Sequence, residues 1–204
     1  MYLKASLYQY FSEQKIRKTR MGILKTKFKG LFLFEPRVFE DERGYFFESY
    51  SERQWAEAGV TQKFVQDNES QSQYGTVRGL HYQLPPFGQD KLVRVTFGRV
   101  LDIVVDLRED EPTYGKSFRT VLSNKNKKQM LVPQGFAHGF VTLSKKAVFN
   151  YKCTNFYDKA SEGHINPLDP QLQLNWKLPE ADLIFSDKDK AAPKWGDHKA
   201  WPKK

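Results

Sequence analysis

From residue 31 onward the chain is cut into short runs of β-branched and aromatic residues, punctuated by glycine, proline, asparagine or aspartate. The runs fall at 31–34, 45–48, 91–97, 100–107, 117–122, 129–132, 140–143 and 147–154, with turn chemistry at Gly98-Arg99, Glu111-Pro112-Thr113-Tyr114-Gly115 and Asn124-Lys125-Asn126. Runs of this length are too short for the apolar stripe of a core helix and suit half-buried strands. Many short strands at a spacing of about 8–12 residues predict an all-β domain. A jelly-roll sandwich or barrel of the cupin type protects its edges by closing two sheets on each other, and its inward side chains can line a pocket. One short peripheral helix is predicted over 51–58, where Ser51 and Gln54 have capping-box spacing and Gly59 can end the last turn. The chain shows no internal repeat.

At 204 residues, 39% hydrophobic and 15% aromatic, the chain can bury one sizeable core. Its formal charge of +9 would suggest a polyanionic partner if it were spread over the surface. It is not: residues 1–20 carry five Lys/Arg against Glu13, and residues 188–204 carry six Lys against Asp189 and Asp197, leaving +1 for residues 21–187. A near-neutral body with basic ends argues against nucleic acid as the partner. Residues 1–20 read as a basic extension, and the pattern of a single domain runs over 21–204, with Met21 as a candidate start. Cys153 is the lone cysteine. No intrachain disulfide is possible, as expected for a reducing cytoplasm. No apolar run reaches the roughly 18 residues of a membrane span, and the N-terminus has no signal-peptide core. A soluble, cytoplasmic protein is expected.

The candidate chemistry lies in two histidine motifs, Arg78-Gly79-Leu80-His81-Tyr82-Gln83 and Gly135-Phe136-Ala137-His138-Gly139-Phe140, with Lys91 between them. In an extended segment Arg78 and His81 face opposite sides unless Gly79 opens a bulge. If it does, a cation and a base share one pocket. Lys91 is then a cation placed to meet developing negative charge, and the set suits proton removal beside a carbonyl. Inverting a stereocentre next to a ketone needs a base on one face, an acid on the other and a cation at the enolate oxygen, with no redox cofactor. A metal-binding cupin commonly uses His-x-His, whereas this chain reads His81-Tyr82-Gln83. Only His138 and His164 are left to complete such a set, and no carboxylate stands near in sequence, so no metal is expected.

Seven ordered stretches resemble the dTDP-4-dehydrorhamnose 3,5-epimerase family. They are Asp41-Glu42-Arg43-Gly44-Tyr45-Phe46-Phe47-Glu48, Phe64-Val65-Gln66-Asp67-Asn68, the Arg78 to Gln83 motif, Lys91-Leu92-Val93-Arg94, Val132-Pro133-Gln134 leading into the His138 motif, Tyr151-Lys152, and Ser186-Asp187-Lys188-Asp189. The resemblance spans about residues 25–190. It implies a metal-free cupin-type jelly roll that needs no cofactor, is usually a homodimer, and acts on dTDP-4-dehydro-6-deoxy-D-glucose. It further implies that His81 is the base, oriented by Asp189, that Tyr151 returns a proton from the opposite face, and that Lys91 stabilises the enolate oxygen with His138 close by. Arg43, Phe46, Glu48, Gln66, Asn68, Arg78, Glu162 and Lys188 would hold the nucleotide sugar, and Tyr157 would stack on the thymine. The Arg43 to Glu48 segment would serve the neighbouring subunit's site.

One stretch departs from the family pattern. In Gly163-His164-Ile165-Asn166-Pro167-Leu168-Asp169-Pro170, Asn166-Pro167 stands where an aromatic often precedes the acidic residue. A single-position epimerase of another keto sugar therefore stays open beside inversion at C3 and C5, as does a catalytically silent sugar-nucleotide-binding cupin.

Overall fold

The apolar run Val100-Leu101-Asp102-Ile103-Val104-Val105 has one charge in it, and the strand it forms is buried on both faces. That explains why it lacks the polar–apolar alternation of a half-solvated strand. The computed structural model describes residues 22–203, so the basic extension over 1–20 and the candidate start at Met21 lie outside the described residues. Two antiparallel sheets face each other in the jelly-roll manner. The larger has the order β1 (Gly22–Lys25), β2 (Phe32–Glu35), β10 (Gln129–Val132), β7 (Lys91–Phe97), β12 (Lys146–Cys153), β5 (Gln66–Gln73). The smaller has the order β13 (Glu162–His164), β6 (Val77–Gln83), β11 (Phe136–Thr142), β8 (Arg99–Asp106), β9 (Ser117–Ser123). A hairpin of β3 (Phe39–Asp41) and β4 (Gly44–Phe46) stands apart from both.

Between the sheets lies one apolar cluster that draws Leu33, Val93, Val95, Met130 and Phe149 from the larger sheet and Val100, Val104, Phe136 and Phe140 from the smaller. Leu101, Ile103, Val105, Ala137 and Val141 point out of the other face of β8 and β11 into a second cluster. Ile165, Leu172, Trp176, Trp195 and Trp201 of the C-terminal stretch cover them there. The basic C-terminal residues are thus interspersed with aromatic anchors packed on the sheet. A third cluster seats helix α1 (Glu52–Glu57) on the outer face of the larger sheet through Trp55, whose ring centroid is 3.9 Å from that of Phe34.

The expected helix is present, but the capping box is not: Ser51 is the N-cap without a side-chain cap bond, and Gln54 donates instead to Glu48. The carboxylate is the better acceptor, so the amide turns to it. Gly59, at φ +87°, ends the helix as expected, with Val60 N–H donating to Trp55 O at 2.8 Å. Strand β5 was not expected as a strand. Its eight residues, Gln66 to Gln73, are all polar, yet their burial alternates, with Gln66, Asn68, Ser70 and Ser72 turned inward. The run at 140–143 begins four residues earlier, at Phe136, which brings His138 into β11.

The bulge required at Gly79 is present. β6 pairs with β11 as His81↔His138 and Arg78↔Phe140, three steps on one strand against two on the other. Val77, Leu80 and Tyr82 consequently face the outer cluster, while Arg78 and His81 both face inward. Gly79 has φ +130°, and a Cβ there would lie 2.5 Å from Gly139 Cα and 2.7 Å from His138 O. Because backbone cannot move aside as a side-chain tip can, Gly79→Ala is expected to cost about 2–4 kcal/mol of stability. Chemical denaturation measures it; wild-type stability in this variant would mean that the close β6–β11 approach is not required.

Candidate active site

Beyond the apolar cluster between the sheets, the inward residues change from apolar to polar and line a cavity of about 480 Å³. Along β12 the inward side chains run Ala147, Phe149, then Tyr151; along β7 they run Val95, Val93, then Lys91. His138 sits between Phe136 and Phe140 on β11 in the same way. His81, His138 and Arg78 form the wall from the smaller sheet, and Lys91 and Tyr151 form the facing wall from the larger. Asp189 and Lys188 close one side from helix α2 (Asp187–Lys190).

His81 Nε2 lies 2.6 Å from Asp189 Oδ1. The four-residue α2 presents Asp189 because Ser186 caps it: Ser186 Oγ accepts Asp189 N–H at 3.1 Å and donates to Asp189 Oδ2 at 2.8 Å. Burial alone would push the Asp189 carboxyl up, but the His81 hydrogen bond and charge, the Ser186 hydroxyl and His164 hold it below its ordinary value. An ionised Asp189 accepting from Nε2–H leaves Nδ1 of His81 as the nitrogen with a lone pair.

A second imidazole–carboxylate pair stands beside the first. His138 Nε2 is 2.9 Å from Asp102 Oδ1, and Asp102 has no exposed surface. Burial pushes the Asp102 carboxyl up, against the opposing charges of His138 and Lys91. Burial likewise drives the Lys91 ammonium down, opposed by Cys153, Asp102 and Glu162. Asp102 was not singled out from the sequence. Its signal was there, a carboxylate inside an otherwise apolar run, which has to be paired where the strand is buried on both faces. Burial, with Cys153 adding to it and Arg78 opposing it, raises the Tyr151 phenol, which is therefore a neutral O–H donor near neutral pH.

Glu162 is the hub of the cavity's rim. Its Oε2 accepts from Tyr157 Oη at 3.1 Å and from Lys188 Nζ at 2.7 Å, and lies 3.4 Å from His164 Nε2. Tyr157 is 57% exposed. Gln83 holds that loop, taking Asp158 N–H at 3.0 Å on Oε1 and donating from Nε2 to Phe156 O at 3.1 Å. Gln66 and Asn68 face inward but bond each other at 2.9 Å. Arg78 donates from Nε to Ser72 Oγ at 2.9 Å. Arg43, Phe46 and Glu48 lie outside this cavity: Arg43 pairs with Asp41 at the hairpin tip, Phe46 is 67% exposed and Glu48 meets Gln54.

A histidine pair with a carboxylate, which spacing did not reveal, is brought together by the fold. His81, His164 and Asp189 bring ligand atoms within 4.8 Å of one another. β13 lays His164 directly opposite His81, and α2 supplies the carboxylate, so a histidine pair with an acid forms across three elements that sequence spacing does not connect.

The family model of dTDP-4-dehydrorhamnose 3,5-epimerase matches residues 25–197. An enzyme of that name from Pseudomonas aeruginosa is 49% identical over 173 residues, covering 84% of this chain and 94% of its own. The crystal structure of dTDP-4-dehydrorhamnose 3,5-epimerase from Elizabethkingia anophelis superposes with a TM-score of 0.83 at 52% identity, over 87% of this chain and 98% of that one. A dTDP-6-deoxy-D-glucose-3,5-epimerase from Legionella pneumophila, solved in complex with dTDP-4-keto-L-rhamnose, gives 0.83 at 46% identity over 87% and 94%. Sequence and fold agree, and the chain belongs to the dTDP-4-dehydrorhamnose 3,5-epimerase family of isomerases.

Proposed function

We propose that the chain converts dTDP-4-dehydro-6-deoxy-D-glucose to dTDP-4-dehydro-L-rhamnose by inverting C3 and C5, with His81 removing each proton and Tyr151 returning one from the other face. The observation that carries this reading is that His81 and Tyr151 line opposite walls of one cavity, with Lys91 beside them. Each stereocentre is adjacent to the C4 ketone, so loss of its proton places charge on the carbonyl oxygen. An ammonium in a partly desolvated site stabilises that charge far better than water does. The Lys91 ammonium meets it, with His138 held by Asp102 in the facing wall. Arg78 and Lys188 suit the diphosphate, and the exposed Tyr157 suits the pyrimidine.

The functional unit in this reading is a homodimer in the cytoplasm. Phe39, Tyr45 and Phe46 are 49%, 57% and 67% exposed on a hairpin of two three-residue strands. A hairpin of that size is marginal alone. Inserted into a second copy, it would bury those rings and carry Arg43, Phe46 and Glu48 to the partner's cavity. Among the described residues no helix is long and apolar enough to cross a membrane.

Incubation with the keto sugar in deuterated water tests the reaction. Deuterium at both C3 and C5, with rhamno-configured product, is the expected result. Label at one carbon would make the chain a single-position epimerase, and label at neither would make it a binding protein.

A further inference from the structure

We propose that His81, His164 and Asp189 form a binding site for a divalent transition metal such as Zn²⁺, and that filling it silences the catalytic imidazole. The silencing rests on His81 being the base; the binding does not.

Three separate elements supply the ligands. His164 on β13 is the direct cross-strand partner of His81 on β6, and the two rings meet edge to face with centroids 4.9 Å apart. Asp189 reaches the same point from α2. The ligand atoms lie within 4.8 Å of one another, and tetrahedral coordination at Zn–N and Zn–O lengths of about 2.0–2.2 Å needs them roughly 3.3 Å apart. Side-chain rotations of ordinary size close that gap.

His164 supplies an independent indication. Its Nε2 faces Glu162, and its Nδ1 is buried with no hydrogen-bond partner. A buried lone pair left unmatched costs free energy, and a metal ion would relieve it. The supporting contacts are those that orient metal ligands: a carboxylate, Glu162, behind one imidazole and a hydroxyl, Ser186, behind the aspartate. Two imidazoles and one carboxylate favour Zn²⁺ and its first-row neighbours over Mg²⁺ or Ca²⁺. His81 and Asp189 both line the cavity, so the fourth position opens on it.

Inhibition follows from the imidazole itself. A neutral ring has one lone pair. If the metal takes Nδ1, the lone pair is used; if it takes Nε2, the proton there moves to Nδ1. Either way His81 can no longer accept a proton from carbon.

Equilibrium dialysis of the metal-stripped full chain against Zn²⁺ in a non-chelating buffer, with zinc counted by atomic emission, tests the site. The expected result is one Zn²⁺ per chain, affinity weakened at least about 10-fold by His164→Gln and by Asp189→Asn, and no change in His198→Gln. Mg²⁺ should not compete. No stoichiometric binding, or wild-type affinity in a folded His164→Gln, would overturn the site. Zn²⁺ should also block turnover of the wild-type enzyme, with recovery on adding chelator. Binding without inhibition would overturn the silencing, whereas a chain that binds Zn²⁺ but never turns over the keto sugar would count against the epimerase reading alone.

Discussion

His81→Ala is expected to lower turnover by about 10³–10⁴-fold and to abolish deuterium incorporation at C3 and C5 together. Both stereocentres flank one carbonyl, and the wall of the smaller sheet offers each of them the same imidazole. Removing it therefore stops both exchanges. His138 is not expected to substitute: its Nε2 meets Asp102 as that of His81 meets Asp189, but its side chain is 8% exposed against 34% for His81. Asp189→Asn separates orientation from charge: the amide can still meet Nε2, but it cannot stabilise the imidazolium that forms as the proton arrives. A loss smaller than that of His81→Ala but above tenfold is expected in kcat, with little change in KM. The Asp189 carboxyl titrates below its unfolded value of about 3.9. The stability that the Asp189 carboxylate contributes is therefore complete above that value and is lost as pH falls through the lower, folded-state one. Purified variants assayed by nuclear magnetic resonance in deuterated buffer give both readings. Wild-type exchange in His81→Ala would remove the imidazole from the mechanism.

What the sequence made legible, and what it hid, divides along physical lines. Strands with apolar inner faces were readable, because burial leaves a pattern in residue type. β5 was not, since its inward residues Gln66, Asn68, Ser70 and Ser72 border a polar interior and cannot be told by polarity from outward Asp67, Glu69, Gln71 and Gln73. The bulge at Gly79 was deducible as a condition, from the need to turn Arg78 and His81 the same way. That Gly139 is its counterpart across the ladder was visible only in three dimensions, where each would clash with the other's backbone if it carried a Cβ. Of the two glycines flanking His138, Gly135, at φ +87°, serves a turn, while Gly139 serves close strand approach. The cluster of His81, His164 and Asp189 was hidden for a related reason: β6, β13 and α2 are distant in sequence, and only strand pairing sets them together. Tyr157 and Glu162 entered the site through family resemblance alone; in the fold they share a hydrogen bond at 3.1 Å.

Tyr151→Phe is expected to uncouple exchange from inversion. The phenol stands on β12, in the sheet opposite His81, and in the proposed mechanism its proton goes to the ring face away from the imidazole. Burial holds that phenol up, against the pull of Arg78, and it is present as O–H when an enolate forms. Phenylalanine keeps the ring that packs on the core beside Phe149 and removes only the donor. With the base intact and the opposite acid missing, the enolate is reprotonated by His81 on the face it came from. Deuterium then enters the substrate with its configuration retained. We expect solvent exchange within about tenfold of wild type and formation of inverted product lowered by about 10²–10³-fold, the range of one general acid. Chiral analysis of recovered dTDP-sugar alongside its deuterium content separates the two quantities. Equal losses of exchange and inversion would place Tyr151 on substrate binding instead, and unchanged inversion would mean that the second proton comes from another donor, of which the Lys91 ammonium is the nearest in kind on that wall.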